Sequence, residues 1–325
     1  MISVSKFRIT VLGIAKACVS VGLLALALWL LDWDALTNAF QQLDWPITLA
    51  ALGVLLLEFP VLGFRWVLLV KHELPLTKYE IVRRYLIAVF FSTFTPAQLG
   101  TDAHRFFDLK KAGAHGSRLI GLMIYERIVG LGSFIIFFLA CFTVAWTGGQ
   151  LLPTSEAWII FAAVPILTVV GVLLIFRRIL LPVLNWIFRR LPSRWVKPVM
   201  DGAHAALQPS PSGGRYGVWL LSVCGGCVIW TTAVWLVAAD VGAEIPIAVI
   251  GITAILTDLV RLFPISIQGI GIREVTFAYL FQAAGYSAED GFVVGVVTYA
   301  LVGLAVILIG VIGYLLPKKP PPESP

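Results

Sequence analysis

The stretch Phe263-Pro264-Ile265-Ser266-Ile267-Gln268-Gly269-Ile270-Gly271-Ile272-Arg273-Glu274 breaks an otherwise apolar region near the C-terminus with a proline, glycines and two adjacent charges. Lipid cannot satisfy backbone N–H and C=O groups, so such a break in a membrane chain must line a cavity or be buried in protein. Ionisable side chains at membrane depth are costly, which makes Arg273 and Glu274 a site by default.

Composition supports a membrane setting. The 325 residues are 59% hydrophobic and 13% charged, with a mean hydropathy of +0.93. That balance excludes an ordinary soluble domain and predicts an all-α polytopic integral membrane protein. The net charge of +6 is carried by Lys and Arg at the ends of apolar spans, the pattern that orients membrane helices. Nucleic acid is therefore not an expected partner. The first apolar run, residues 11–31, is too long for a signal-peptide core and lacks a small-residue cleavage site, so it is read as a retained span. Cys18, Cys141, Cys224 and Cys227 all lie in apolar segments, which argues against a disulfide framework. The CxxC spacing of Cys224-Gly-Gly-Cys227 falls inside a span, where small residues favour close helix packing over redox chemistry.

Full-length spans of about 20 residues are predicted at 11–31, 47–70, 119–146, 158–176, 216–239 and 292–316. Two apolar regions, 81–95 and 245–263, are too short to cross. Loops at 32–46, 147–157, 240–246 and 286–290 carry acids and no Lys or Arg, so they are assigned outside; the basic loops are assigned to the cytoplasm, with both termini. Residues 81–118 are then flanked by basic loops on both sides, and residues 245–288 by acidic ones. Each is read as a re-entrant helical hairpin turning at its Pro/Gly break, one from each face. The alternative is a pair of full, distorted spans in each place. The first reading predicts six spans and two hairpins, eight helical regions in inverted-topology repeats at about 8–147 and 157–316, within one domain over 1–316. Pro96 to Arg105 and Pro264 to Arg273 are both nine residues apart, which supports the repeat. Residues 177–215 read as a basic cytoplasmic interfacial segment and 317–325 as a disordered tail.

Gly100, Gly269 and Gly271 are suited to tight turns or close approach to a ligand. Return helices are expected to start near Thr101 or Asp102 and near Gly271, each offering a helix N-terminus to a phosphate. Arg105 and Arg273 would add charge-assisted contacts there, and Asp102 is a suitable N-cap. Glu126 and Arg127 fall well inside a span. Asp258 and Arg261, three apart, share a helix face and can pair. Glu58 sits mid-span beside Pro60, and Arg65 is expected to snorkel to the cytoplasmic edge. Burying Arg127, Arg261 and Arg273 would cost on the order of 10 kcal/mol without compensation. The structural alternative is that Glu126, Asp258 and Glu274 only neutralise these arginines. The four histidines have no metal-ligand spacing, and no nucleotide-binding loop or nucleophile elbow is present, so no cofactor is expected.

Three motifs occur in order: Pro96-Ala-Gln-Leu-Gly100-Thr-Asp102-Ala-His-Arg105, Glu126-Arg127-Ile-Val-Gly130, and Pro264 through Gly269-Ile-Gly271-Ile-Arg273-Glu274. Together they resemble the flippase-like transmembrane domain of lysylphosphatidylglycerol synthases, the multiple peptide resistance factor family. Stand-alone members of that superfamily include proteins associated with hopanoid lipid synthesis. The resemblance covers about residues 11–316 and implies movement of a phospholipid from the inner to the outer leaflet, with the matching positions lining its path. No aminoacyl-transferring segment accompanies the domain, so lysyltransferase activity is not expected. The leading reading is a translocase of the bacterial inner membrane that handles anionic lipid headgroups. Its site would comprise Arg105, Arg273, Glu274, Arg127, Glu126, Arg261, Asp258 and Asp102 between two hairpin breaks. The other reading is an integral-membrane lipid-modifying enzyme, or an accessory subunit working with lipid-synthesis enzymes.

Overall fold

A computed structural model describes residues 34, 37, 41, 43–71, 73–74, 76–91, 99–150, 212–261 and 270–318. Every regular element among them is helical. In order they are α1 (Trp45–Val70), α2 (Lys78–Phe90), α3 (Leu99–Lys111), α4 (Gly116–Thr147) and α5 (Ser212–Val223). A π-helical turn (Cys224–Ile229) carries α5 into α6 (Trp230–Asp240), followed by α7 (Ile247–Arg261), α8 (Ile272–Ala283) and α9 (Ala288–Leu315). The spans expected at 11–31 and 158–176 lie outside the described residues. So do Pro96, Pro264 and Gly269, most of the basic segment 177–215, and residues 319–325 of the tail.

Among the described residues, four helical stretches are long and apolar enough to cross a membrane: α1, α4 from Arg118, α5–α6 from Tyr216, and α9. The chain is thus a multi-pass helical membrane protein. With 26 residues α1 reaches about 39 Å, more than a hydrocarbon core of about 30 Å. The 13 residues of α2 and the 15 of α7 reach only about 20 and 22 Å. Among the described residues, α1–α4 and α5–α9 therefore each run long, short, short, long, with α5–α6 taken as one continuous stretch.

Packing repeats as well. The long stretches that open these two series, α1 and α5–α6, lie against each other, and the first short helix of each series packs on the last long helix of the other. Thus α2 sits on α9, and α7 sits on α4. Without a hydrophobic force between helices in lipid, small residues set how closely such pairs approach. A Cβ on Gly310 would come within 2.6 Å of the Phe90 Cβ, and one on Gly313 within 2.9 Å of the Ile87 amide nitrogen. On α7, a Cβ at Gly251 would lie 2.7 Å from the Cys141 sulfur. Gly310→Leu should therefore push α2 off α9 at a cost of about 1–3 kcal/mol. Gly303→Leu, on the same helix facing open space, is the control. Thermal melting in detergent checks this: the first variant melts earlier and the second does not.

Helix starts have local causes. The Thr77 hydroxyl accepts from the Glu80 N–H (3.2 Å) to begin α2, and Ser287 accepts from Asp290 N–H (3.1 Å) to begin α9. At α1 the capping group comes from elsewhere: the Asp240 carboxylate, at the end of α6, accepts the Asp44 N–H (2.6 Å) and the Thr48 hydroxyl. Pro60 is exposed on α1, which continues through it. Gly225 of the CxxC turn packs against Val61 and Leu62 of α1, where a Cβ would lie 3.0 Å from each side chain, and Cys224 and Cys227 are free thiols. The packing reading of that motif fits. Large apolar side chains such as Leu57, Phe64, Ile128, Ile136, Ile307 and Val311 point outward, as a lipid-facing surface requires.

Candidate functional site

Arg105 belongs to the buried stripe of α3. Thr101, Arg105 and Leu109 recur every fourth residue, so helical register turns the guanidinium inward. On α4 the stripe Leu119, Leu122, Glu126, Val129 and Ser133 does the same for Glu126. The two meet: Arg105 Nη1 donates to Glu126 Oε2 at 2.9 Å. The other carboxylate oxygen of Glu126 accepts from Arg65 of α1, whose Nη1 also donates to the Ser222 hydroxyl of α5 (3.1 Å). Arg105 also pairs with Asp102, and Asp102 Oδ2 accepts from Arg127 Nη2 at 2.6 Å. The Arg105 guanidinium lies 4.4 Å from the Trp66 ring centroid and 5.5 Å from that of Tyr85, an aromatic floor supplied by α1 and α2. One ionic network thus joins α1, α3 and α4, and a hydrogen bond from Arg65 to Ser222 extends it to α5.

The second half has a cluster of similar parts. The guanidinium of Arg273, on α8, lies 3.9 Å over the Tyr299 ring of α9. Tyr299 packs against Trp230 of α6 (ring centroids 5.6 Å), and its hydroxyl reaches Asp258 Oδ1 of α7 at 3.5 Å. Gly271 precedes α8 with φ +84°, a conformation that favours glycine. Its N–H donates to Glu274 Oε2 at 2.7 Å, while Glu274 Oε1 faces Arg273 at 3.4 Å. In both halves, then, an arginine of the second short helix lies over buried aromatic side chains, with a buried Trp, from α1 or α6, in the cluster. Arg105 pairs with Glu126 of α4 and Arg273 with Glu274 of its own helix, while Asp258 of α7 meets the Tyr299 hydroxyl.

Several expectations change. Arg65 does not snorkel; it is held inside by Glu126 and Ser222. Arg127 is 49% exposed, whereas its neighbour Glu126 is buried, because successive helical residues point about 100° apart. Gly100 is no turn but the second residue of α3, which starts at Leu99. Helix α8 starts at Ile272, as the Gly271 position suggested. Its N-terminus is already occupied by Glu274, so a phosphate there would have to compete with that carboxylate. The side chain of Arg261, expected to pair with Asp258, lies outside the described residues. Among the described residues, the remaining site residues fall into two clusters, one per half. Sequence reasoning missed Trp66, Tyr85, Trp230 and Tyr299; an aromatic in a span gives no signal of facing an arginine until register between helices is known.

The family model for the lysylphosphatidylglycerol synthase TM region matches residues 13–310. The chain belongs to that family. Membership together with four long apolar helices supports a membrane-lipid-related function. No curated protein and no solved structure matches the chain.

Proposed function

We propose that this family member is a lipid translocase of the bacterial inner membrane, moving a phospholipid or related polar lipid between leaflets. Both termini face the cytoplasm, and α2–α3 and α7–α8 are re-entrant hairpins entering from opposite faces. Arg105 and Arg273 receive the headgroup phosphate from the two sides, and rocking of one repeat on the other alternates access. The observation that carries this reading is the reciprocal packing of the halves, each with an arginine on an aromatic floor in a helix too short to cross. Guanidinium groups suit phosphate because they donate two parallel, charge-assisted hydrogen bonds. Inward-facing charges of this kind in membrane proteins mark substrate pathways.

The test is transbilayer exchange in proteoliposomes carrying a fluorescent phospholipid that dithionite quenches from outside. Wild-type protein should speed loss of the protected fluorescence for an anionic phospholipid, and Arg273→Ala should slow it by about tenfold, the worth of one charge-assisted hydrogen bond. If neither protein moves any anionic phospholipid, the translocase reading fails. If the variant matches wild type, Arg273 holds no headgroup.

A further inference from the structure

We infer that Asp102 is a built-in competitor at an anion site formed by Arg105 and Arg127, and that a lipid phosphodiester binds by displacing it. The inference rests on the translocase reading for the source of the anion, and it names the place where the headgroup first engages.

The geometry is that of an occupied anion site. Asp102 Oδ1 is paired with Arg105 Nη2, and Oδ2 with Arg127 Nη2 at 2.6 Å. Two guanidinium groups, one from α3 and one from α4, converge on the two oxygens of a single anion. A phosphodiester presents the same pair of oxygens through its non-bridging atoms. A carboxylate in the first turn of a helix would ordinarily serve that helix's N–H groups; Asp102 is turned instead to the arginines.

The neighbouring pairs decide which contact yields. Arg105 is 7% exposed, pinned by Glu126 at 2.9 Å and flanked by Trp66 and Tyr85, so it stays in place when Asp102 leaves. Parting Arg105 from Glu126 would strand buried charges, which is strongly unfavourable. The Arg127–Asp102 pair is different, with side chains 49% and 25% exposed. An incoming anion reaches this pair from its open side and gives Arg127 the same counter-charge, so the exchange strands no guanidinium. Helix α3 packs on α2 and α4 and is tied to them by Arg84–Asp108 (2.8 Å) and Arg105–Glu126, both of which survive the exchange. Displacing Asp102 therefore loosens the start of α3 without releasing the helix. The exposed edge at Arg127 gives the headgroup its way in, and the buried Arg105 gives it a fixed anchor.

Equilibrium binding in detergent tests this without any need for transport, so its failure is distinct from failure of the translocase reading. Dioctanoyl phosphatidylglycerol and its deacylated headgroup, glycerophosphoglycerol, are titrated calorimetrically into wild type, Asp102→Asn, Arg127→Gln and the double variant. Asp102→Asn keeps the side-chain shape and removes the competing charge, so it should bind about tenfold more tightly. Arg127→Gln should bind about tenfold more weakly, and the double variant should lose the gain. A gain for both ligands shows that the phosphodiester alone is read; a gain for the lipid alone shows that the acyl chains are needed as well. Either supports the inference. If folded Asp102→Asn binds neither ligand more tightly than wild type, the inference is overturned. Should that variant not fold, unchanged binding by Arg127→Gln overturns it equally.

Discussion

Glu126→Ala should be among the most damaging single substitutions in this chain, lowering stability by about 3–5 kcal/mol. The carboxylate receives Arg65 on one oxygen and Arg105 on the other, and it is buried between them. Removing it leaves two guanidinium groups facing each other away from water, and the loss of their shared counter-charge exceeds the loss of packing. Glu126→Gln keeps the shape and one acceptor but not the charge, so it should fall between Glu126→Ala and wild type. Thermal melting of the purified protein in detergent gives the order. A Glu126→Ala variant that melts with wild type would mean that the network does not hold α1, α3 and α4 together. The effect should also exceed that of Gly310→Leu, which crowds one helix contact but strands no charge.

How much of this was legible beforehand depends on the distance over which each feature is decided. Helix extents depend on runs of side chains along one segment, and the short region read at 245–263 appears as Ile247–Arg261. The span read at 47–70 appears as Trp45–Val70, with Asp44 and Pro46 at its start. The span, span, hairpin, span order read in each half came from local hydropathy and loop charge. The described helices supply one long, two short and one long helix of it, and the first span of each half lies outside the described residues. Side-chain direction was not readable in this way. Glu126 and Arg127 are neighbours in sequence, yet one is buried and the other exposed, because the face that α4 turns inward is set by its neighbours. Arg65 was misread for the same reason: the carboxylate that holds it lies 61 residues further along the chain. Gly100 looked like a turn because glycine often makes one, but only its place within α3 shows that no turn is needed there. The tie from Asp240 to the start of α1 joins residues 196 apart and had no sequence signal at all.

The two arginine clusters explain why expensive charges are tolerated in this membrane chain. Each guanidinium is compensated by an aromatic face and by carboxylates, Arg105 by Asp102 and Glu126 and Arg273 by Glu274. Neutralisation and headgroup binding are compatible roles: buried Glu126 holds the first cluster together, and the more exposed Asp102 exchanges.

Everything proposed for function depends on the two hairpins entering from opposite faces, and sided labelling measures that directly. Lys111 and Gln282 are exposed near the C-terminal ends of the two return helices, α3 and α8. With the four native cysteines replaced, Lys111→Cys and Gln282→Cys are each treated with a membrane-impermeant maleimide in spheroplasts. The account predicts that Gln282→Cys labels in intact spheroplasts and that Lys111→Cys labels only after permeabilisation. Labelling of both positions from the same side would contradict it.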